Sequence, residues 1–268
     1  MENFFLYRKA WRSNEAPHEE PKLDAAQWKS LLRKGGLLVR NVYDFDQKEE
    51  SSFWYVLKDG FGGLDELNSN NRNKVKRAIN SFDFRQIDIE LVRKKGFHIL
   101  QATFEDYAAA EQKMTDSFFA SQLERGARDG FEYWGVFDKE DGALVGWCDV
   151  HVWSDACEYG IIGMLPKYKH NNTYPYYGLF FKLNEHYLGE RHFRYVSDGT
   201  RSITEHSNIQ NFLMENFKFR KAYCKLELHY QWWMGLAVKL LYPFRKIIPL
   251  QHVKAVLRQE AFAREQKR

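Results

Sequence analysis

A chain of 268 residues, 44% hydrophobic and 16% aromatic, carries enough apolar matter for a packed core and is neither a disordered nor a fibrous polymer. Its 40 Lys and Arg against 36 Asp and Glu leave +4, too little to mark the whole chain as a nucleic-acid binder, yet residues 231–268 alone hold eight basic and two acidic residues, so 1–230 carries −2. Cys148, Cys157 and Cys224 have no C-x-x-C spacing and are expected as reduced core or strand residues of a cytoplasmic protein; the charges in MENFFLYRKAWR exclude a secretory h-region.

The first 30 residues are charged and interrupted by Pro17 and Pro21. LLRKGGLLVRNVYDF then reads as a strand after a Gly-Gly turn, and FWYVLKDG (53–60) as a second. NSNNRNKVKRAINSF spaces Val75, Ala78, Ile79 and Phe82 along one face of a helix capped by Ser69 or Asn70. Its other face holds Arg72, Lys74, Lys76 and Arg77, which suits RNA phosphates or plain solvent. FRQIDIELV and GFHILQA predict short strands flanking Arg93-Lys94-Lys95-Gly96. Helical spacing returns from Phe104 to about Gly126 through Tyr107, Ala108, Met114 and Phe118. EYWGVFD (132–138) and ALVGWCDVHVW (143–153) are strands joined by the hairpin signal KEDG, and EYGIIGML (158–165) is a third. YGLFFKLNEHYL is helical, FRYVSDG a strand, SNIQNFLMENF a helix with Ile209, Phe212, Leu213 and Phe217 inward, and FRKAYCKLELHY the closing strand. The expected organisation is a small α/β region over 1–103, an α/β domain with a mixed sheet over 104–230, and a basic, Trp-containing tail over 231–268.

The order over 104–230 resembles the GNAT acyltransferase fold. Three stretches carry the likeness: ALVGWCDV with its inner Gly146, the passage EYGIIGMLPKYKHNNTYPYYGLFFKL, and the ending SNIQNFLMENFKFRKAYCKLEL. The smaller region ahead of it, with its basic RNKVKRAIN helix, is similar to a degenerate first unit of the Fem-type aminoacyl transferases, which are built from two GNAT-like units. The resemblance implies transfer of an acyl or aminoacyl group to an amine, from acyl-CoA or from aminoacyl-tRNA, with no metal. It implies as acceptor a small-molecule or lipid-linked amine, such as a cell-envelope or glycan precursor, met at the inner face of the membrane, with tRNA as a further partner. PKYKHNNTYPYYG lacks the closely spaced glycines of a GNAT pyrophosphate loop. Met214 stands where many members protonate the leaving thiolate with a tyrosine, and Lys218 replaces the glycine before the closing Phe219. These departures suit a Fem-type donor, or a GNAT-shaped binding protein that acts at the membrane without catalysis.

The candidate residues follow from position. Glu158 starts the central strand, where the family often places its base; as a residue alone it reads sooner as a hydrated strand-end carboxylate. Asp149 and His151 alternate along one strand face about 7 Å apart, so that the carboxylate is expected to raise the imidazole pKa, or the pair to form an outer face beside Trp153. SDGTRSITEHSN ends a strand beneath a helix, where open α/β sheets bind ligands. There Asp198 is the second catalytic candidate and Arg201, His206 and Asn208 are substrate contacts, against a capped loop in which Ser207 or Asn208 caps the helix. Lys167, Lys169 and His170 are expected at donor phosphates. QWWMGLAVKLLYPFRKIIPL is too short and interrupted to span a bilayer; it lies in an anionic membrane surface, with Trp232 and Trp233 at headgroup level, or packs on the body.

Overall fold

The computed structural model describes residues 3–19, 22–105, 114–168, 171–203 and 208–266, with the side chains of Glu105 and Asn208 outside that description, as are Tyr107 and Ala108 of the expected 104–126 helix. The chain divides into two compact units, one of Met1–Val56, Thr200–Asn211 and Arg220–Arg268, the other of Leu57–Gly199 and Phe212–Phe219.

In the first unit, β1 (Phe4–Tyr7) and β2 (Ala10–Ser13) form a hairpin whose two turn residues, Arg8 and Lys9, both have positive φ. Helix α1 (Ala25–Arg33) starts at a capping box in which the Asp24 carboxylate accepts from the backbone of Ala26 and Gln27 while Gln27 returns a bond to Asp24 N–H. Its Leu31 and Leu32 bury against Val39 of β3 (Leu38–Gln47). Strand order is β1-β2-β3-β10-β4, with β10 (Arg220–Tyr230) antiparallel to β3 and β4 spanning Phe53–Lys58. The tail forms α7 (Trp232–Leu241) and α8 (Gln251–Glu265), which pack on β10. Tyr230 Oη donates to Glu260 and Leu226 N–H to Gln266 Oε1, tying α8 to the strand.

The second unit is a mixed sheet in the order β9-β8-β7-β6-β5, formed by β9 (Tyr195–Thr200), β8 (Ala156–Met164), β7 (Leu144–Val152), β6 (Phe131–Asp138) and β5 (Phe82–Ile87). Neighbours from β5 to β8 are antiparallel and β8–β9 is parallel. The expected hairpin turn is present, closed by Gly142 N–H on Asp138 O with Gly142 at φ 70°. One face is covered by α3 (Ile89–Glu105) and α4 (Asp116–Asp129), which bury Val92, Ile99, Leu100, Phe119 and Leu123 against Tyr133 and Trp147. Tyr159, on the opposite face, packs against Phe180 of α5 (Pro175–Asn184), and α5 in turn packs on α2 (Ser69–Ser81).

FRQIDIELV is strand only as far as Ile87, its last four residues opening α3, and the helical stretch expected from Phe104 to about Gly126 falls in the end of α3 and in α4. Two further elements differ from expectation. GFHILQA is not a strand: it lies inside α3, because Val92, Ile99, Leu100 and Thr103 recur at helical spacing and are all buried. The cap of α2 is Asn68, whose Oδ1 accepts from Asn71 N–H at 2.8 Å, one or two residues before the expected Ser69 or Asn70.

Helix α6 (Asn208–Phe217) ends at Lys218, which takes φ 58° while Phe219 N–H turns back onto Leu213 O. A non-glycine residue in this left-handed conformation carries a steric cost of about 1 kcal/mol. Because Lys218 is exposed, Lys218→Gly is expected to stabilise the protein by up to about 1 kcal/mol, read from the urea midpoint at constant m-value. A lower midpoint would contradict the strain.

Candidate active site

Strands β8 and β9 pair at Ala156↔Tyr195, Cys157↔Val196 and Glu158↔Ser197, and among the described residues the register continues no further, although β8 runs on to Met164 and β9 to Thr200. On its other side β8 bulges: Cys148 faces Ile162 but Val150 faces Tyr159, so Gly160 and Ile161 together oppose Asp149. Asp149 Oδ1 accepts the Ile161 N–H at 2.6 Å. Gly160 is required beside it, since a β-carbon there would lie 2.0 Å from the same oxygen. At the end of the β8–β9 pairing, the Glu158 carboxyl lies 3.4 Å from the place a β-carbon on Gly199 would take, and Gly199 has φ 77°.

The registers decide which candidates share a face. Tyr133 pairs with Asp149, Phe131 with His151, and His151 with Glu158, so these five side chains stand on the α3–α4 face. Asp198 follows Ser197 by one residue and stands on the other face, where it adds negative charge near Tyr159 and Cys148. There Tyr159 Oη donates to Asn184 Oδ1 at 2.9 Å. Glu158 and Asp198 are both half-buried, and they serve opposite surfaces of the sheet.

Asp149 and His151 are buried, not an outer face. His151 is stacked at 4.4 Å on Phe131 and contacts Trp153 at 4.3 Å. Burial and then the Arg125 charge lower its pKa to about 4, the reverse of the expected rise. Burial likewise raises Asp149 to about 7, assisted by Glu158 and opposed by the Ile161 N–H and Arg125. Arg125 itself is paired with Asp129 at 3.4 Å and lies over the Phe131 ring. Burial also pushes the Cys148 and Cys157 thiols well up, so neither is a ready nucleophile.

The remaining candidates lie elsewhere. Arg201 is clamped between the rings of Trp54 and Phe262, each 4.0 Å from its guanidinium carbon, and donates Nη1 to Ser52 O at 2.5 Å. Gln210, which the sequence did not single out, staples this turn by donating to Thr200 O and accepting from Ser202 N–H. His206, Ser207 and Glu205 lie outside the described residues, as does the side chain of Asn208. Lys167 is exposed with its ammonium over the Tyr168 ring, and Lys169 and His170 fall outside the described residues.

A backbone cradle for a pyrophosphate would lie at the start of α5. Pro175 has no N–H there, and those of Tyr177 and Gly178 donate to Tyr174 O, so the helix start has little to give a pyrophosphate. On α2, Arg72 donates to Leu64 O and Leu67 O, and Lys74 to Tyr177 Oη, which leaves Lys76 and Arg77 as its exposed cations. A pocket of about 350 Å³ opens at Gln86, Asp88, Gly130 and Glu132, on the β5–β6 side of the sheet and not at the β8–β9 opening. Among the described residues no group of three or more His, Cys, Asp or Glu side chains gathers as a metal site.

No family model and no curated protein matches this sequence. Solved structures do. FemX aligns with 80% of this chain over 77% of its own at a TM-score of 0.56 and 9% identity. L-PGS from Bacillus licheniformis aligns with 88% over 76% at 0.50 and 11%. At these identities the likeness speaks for the fold, which is GNAT-like and of the Fem type.

The buried pair makes a prediction about pH. Between about pH 4 and 7 the folded protein holds a proton on Asp149 that the unfolded chain gives up, so this carboxyl makes stability fall as pH rises. Between about 6.5 and 4 the unfolded chain protonates His151 while the folded protein does not, so the imidazole makes stability fall as pH drops. The two slopes oppose each other over pH 4.5–6.5, each on the order of 1 kcal/mol per pH unit. Relative to the parent, His151→Gln is expected to tilt the urea-derived stability curve downward with rising pH, and Asp149→Asn upward. Parallel curves for all three would contradict the assigned directions.

Proposed function

We propose that this protein transfers an acyl or aminoacyl group to an amine, with Glu158 as the proton acceptor. The observation that carries the reading is the parting of β8 from β9 just where the half-buried Glu158 carboxyl rests against Gly199. An amine arrives as an ammonium ion and attacks only after losing a proton. Glu158 takes that proton, the nitrogen bonds to the acyl carbon, and the donor's ester oxygen or thioester sulfur leaves with the electron pair of the broken bond and takes up the second proton that the nitrogen sheds. The neighbouring Asp149 and His151 add no positive charge near neutral pH, so this face suits a cationic acceptor. Asp149 also occupies the Ile161 N–H, so the acyl oxygen draws its donors from elsewhere in the opening.

The donor favoured by this reading is aminoacyl-tRNA, since the start of α5 offers a CoA pyrophosphate so little. Lys76 and Arg77 are the α2 cations suited to RNA phosphates. The Fem-type likeness supports an amine on a lipid-linked cell-envelope or glycan precursor as acceptor. In this reading Asp198 supports the polar layer with Tyr159 and Asn184 beneath α5, and Arg201 clamps its turn. A second reading, a GNAT-shaped binding protein without catalysis, draws on the same α5 observation together with Met214.

The test is transfer by the full chain from radiolabelled aminoacyl-tRNA and, separately, from acyl-CoAs to amine-bearing precursors. The expected result is transfer from aminoacyl-tRNA, with Glu158→Gln lowering kcat about 10²- to 10⁴-fold while the fold and substrate binding are retained. Binding without transfer from any donor would leave the second reading standing, and full activity in Glu158→Gln would remove Glu158 as the base.

A further inference from the structure

Nine large apolar side chains stand exposed among the described residues, and eight of them fall between Trp232 and Leu250. Successive residues of α7 turn by about 100°, which gathers Trp232, Leu236, Leu240 and Trp233 into one stripe and sends Val238 to the opposite side. Val238 is 5% exposed, and α7 packs on β10 and α8. The helix therefore has two apolar faces, one of them seated on its own unit and the other turned outward. Phe244, Ile247 and Leu250 continue the outward face. Trp232 at 81% and Ile247 at 77% exposure stand clear of the surface and do not line a groove.

Charge narrows the partner. From Trp232 to Gln259 there is no Asp or Glu, while Lys239, Arg245, Lys246, Lys254 and Arg258 are present. Lys239 and Lys246 are exposed beside the apolar stripe. We infer that residues 232–250 form a docking surface for an anionic lipid membrane. The outward side chains enter the boundary between headgroups and acyl chains, and Lys239 and Lys246 meet lipid phosphates. At ten residues α7 is about 15 Å long and lies in the plane of the interface. No described helix is long and apolar enough to cross a membrane. A second copy of the same surface would set cation against cation, and an apolar segment this protruding offers a protein partner no cleft. The inference requires only the exposed stripe and is independent of acyl transfer.

The test is co-sedimentation of the full chain with vesicles of phosphatidylcholine alone and of phosphatidylcholine mixed with phosphatidylglycerol. Binding is expected to be at least about tenfold tighter to the anionic vesicles, and to weaken about fivefold for each of Lys239→Gln and Lys246→Gln. The triple variant Trp232→Ser, Trp233→Ser, Leu240→Ser is expected to lose at least about tenfold while keeping its circular dichroism and melting temperature, because these side chains make little of the core. Equal binding to both vesicles or binding to neither would overturn the inference. So would self-association abolished by the triple variant, which would make the stripe an interface between copies.

Discussion

The bond from Ile161 N–H to the Asp149 carboxyl sets the geometry on which the candidate site depends. A bulge leaves a backbone donor without its strand partner, and a buried donor left so costs about 1–3 kcal/mol. Asp149 supplies the acceptor from the neighbouring strand, and the missing side chain of Gly160 makes the space for it. The bulge keeps Tyr159 and Glu158 in register with Val150 and His151 on one side while β8 diverges from β9 on the other. The opening, the carboxyl at its edge and the buried acid behind it thus share one local cause.

The same burial that makes Asp149 a good plug makes it a poor anion. With its pKa near 7 Asp149 is only about half ionised near neutral pH, and the depressed pKa of His151 leaves the imidazole neutral there. A row of two buried, weakly charged groups ending in the half-buried Glu158 concentrates the negative charge at the edge where the strands part. Enzymes separate acid and base roles by environment in this manner. The rings of Phe131 and Trp153 hold His151 in its packed position.

Much of the order of elements was legible because apolar spacing is local. The strands β6 to β10 and the helices α2, α5 and α6 all announce themselves through periodicity and turn residues. The β1–β2 hairpin did not, since Arg8 and Lys9 occupy its positive-φ turn in place of Asn-Gly. Residues 96–102 misled because a short apolar run fits a strand or a buried helix equally well. For the site, Glu158 and Asp149 were visible as residues, but their relation to Asp198 was not. Which face each occupies follows from the Glu158↔Ser197 register and the bulge at Gly160, both properties of pairing between strands far apart in the chain. Arg201 looked like a ligand contact because its turn is polar; its two flanking rings, Trp54 and Phe262, lie roughly 150 and 60 residues away in sequence.

Of the two sequence readings of the tail, packing on the body is the one seen. Leu257, Phe262 and Val238 bury it on β10, while the outward side of α7 keeps its tryptophans exposed. That chemistry takes place where β8 leaves β9 is most directly tested by amide chemical-shift mapping of the labelled protein with a non-hydrolysable analogue of an aminoacyl-tRNA 3′ end. Saturable shifts centred on Glu158, Gly160, Ile161 and Gly199 are expected. Shifts confined to the pocket at Gln86–Ile89 and Gly130–Tyr133 would place the chemistry elsewhere and contradict it.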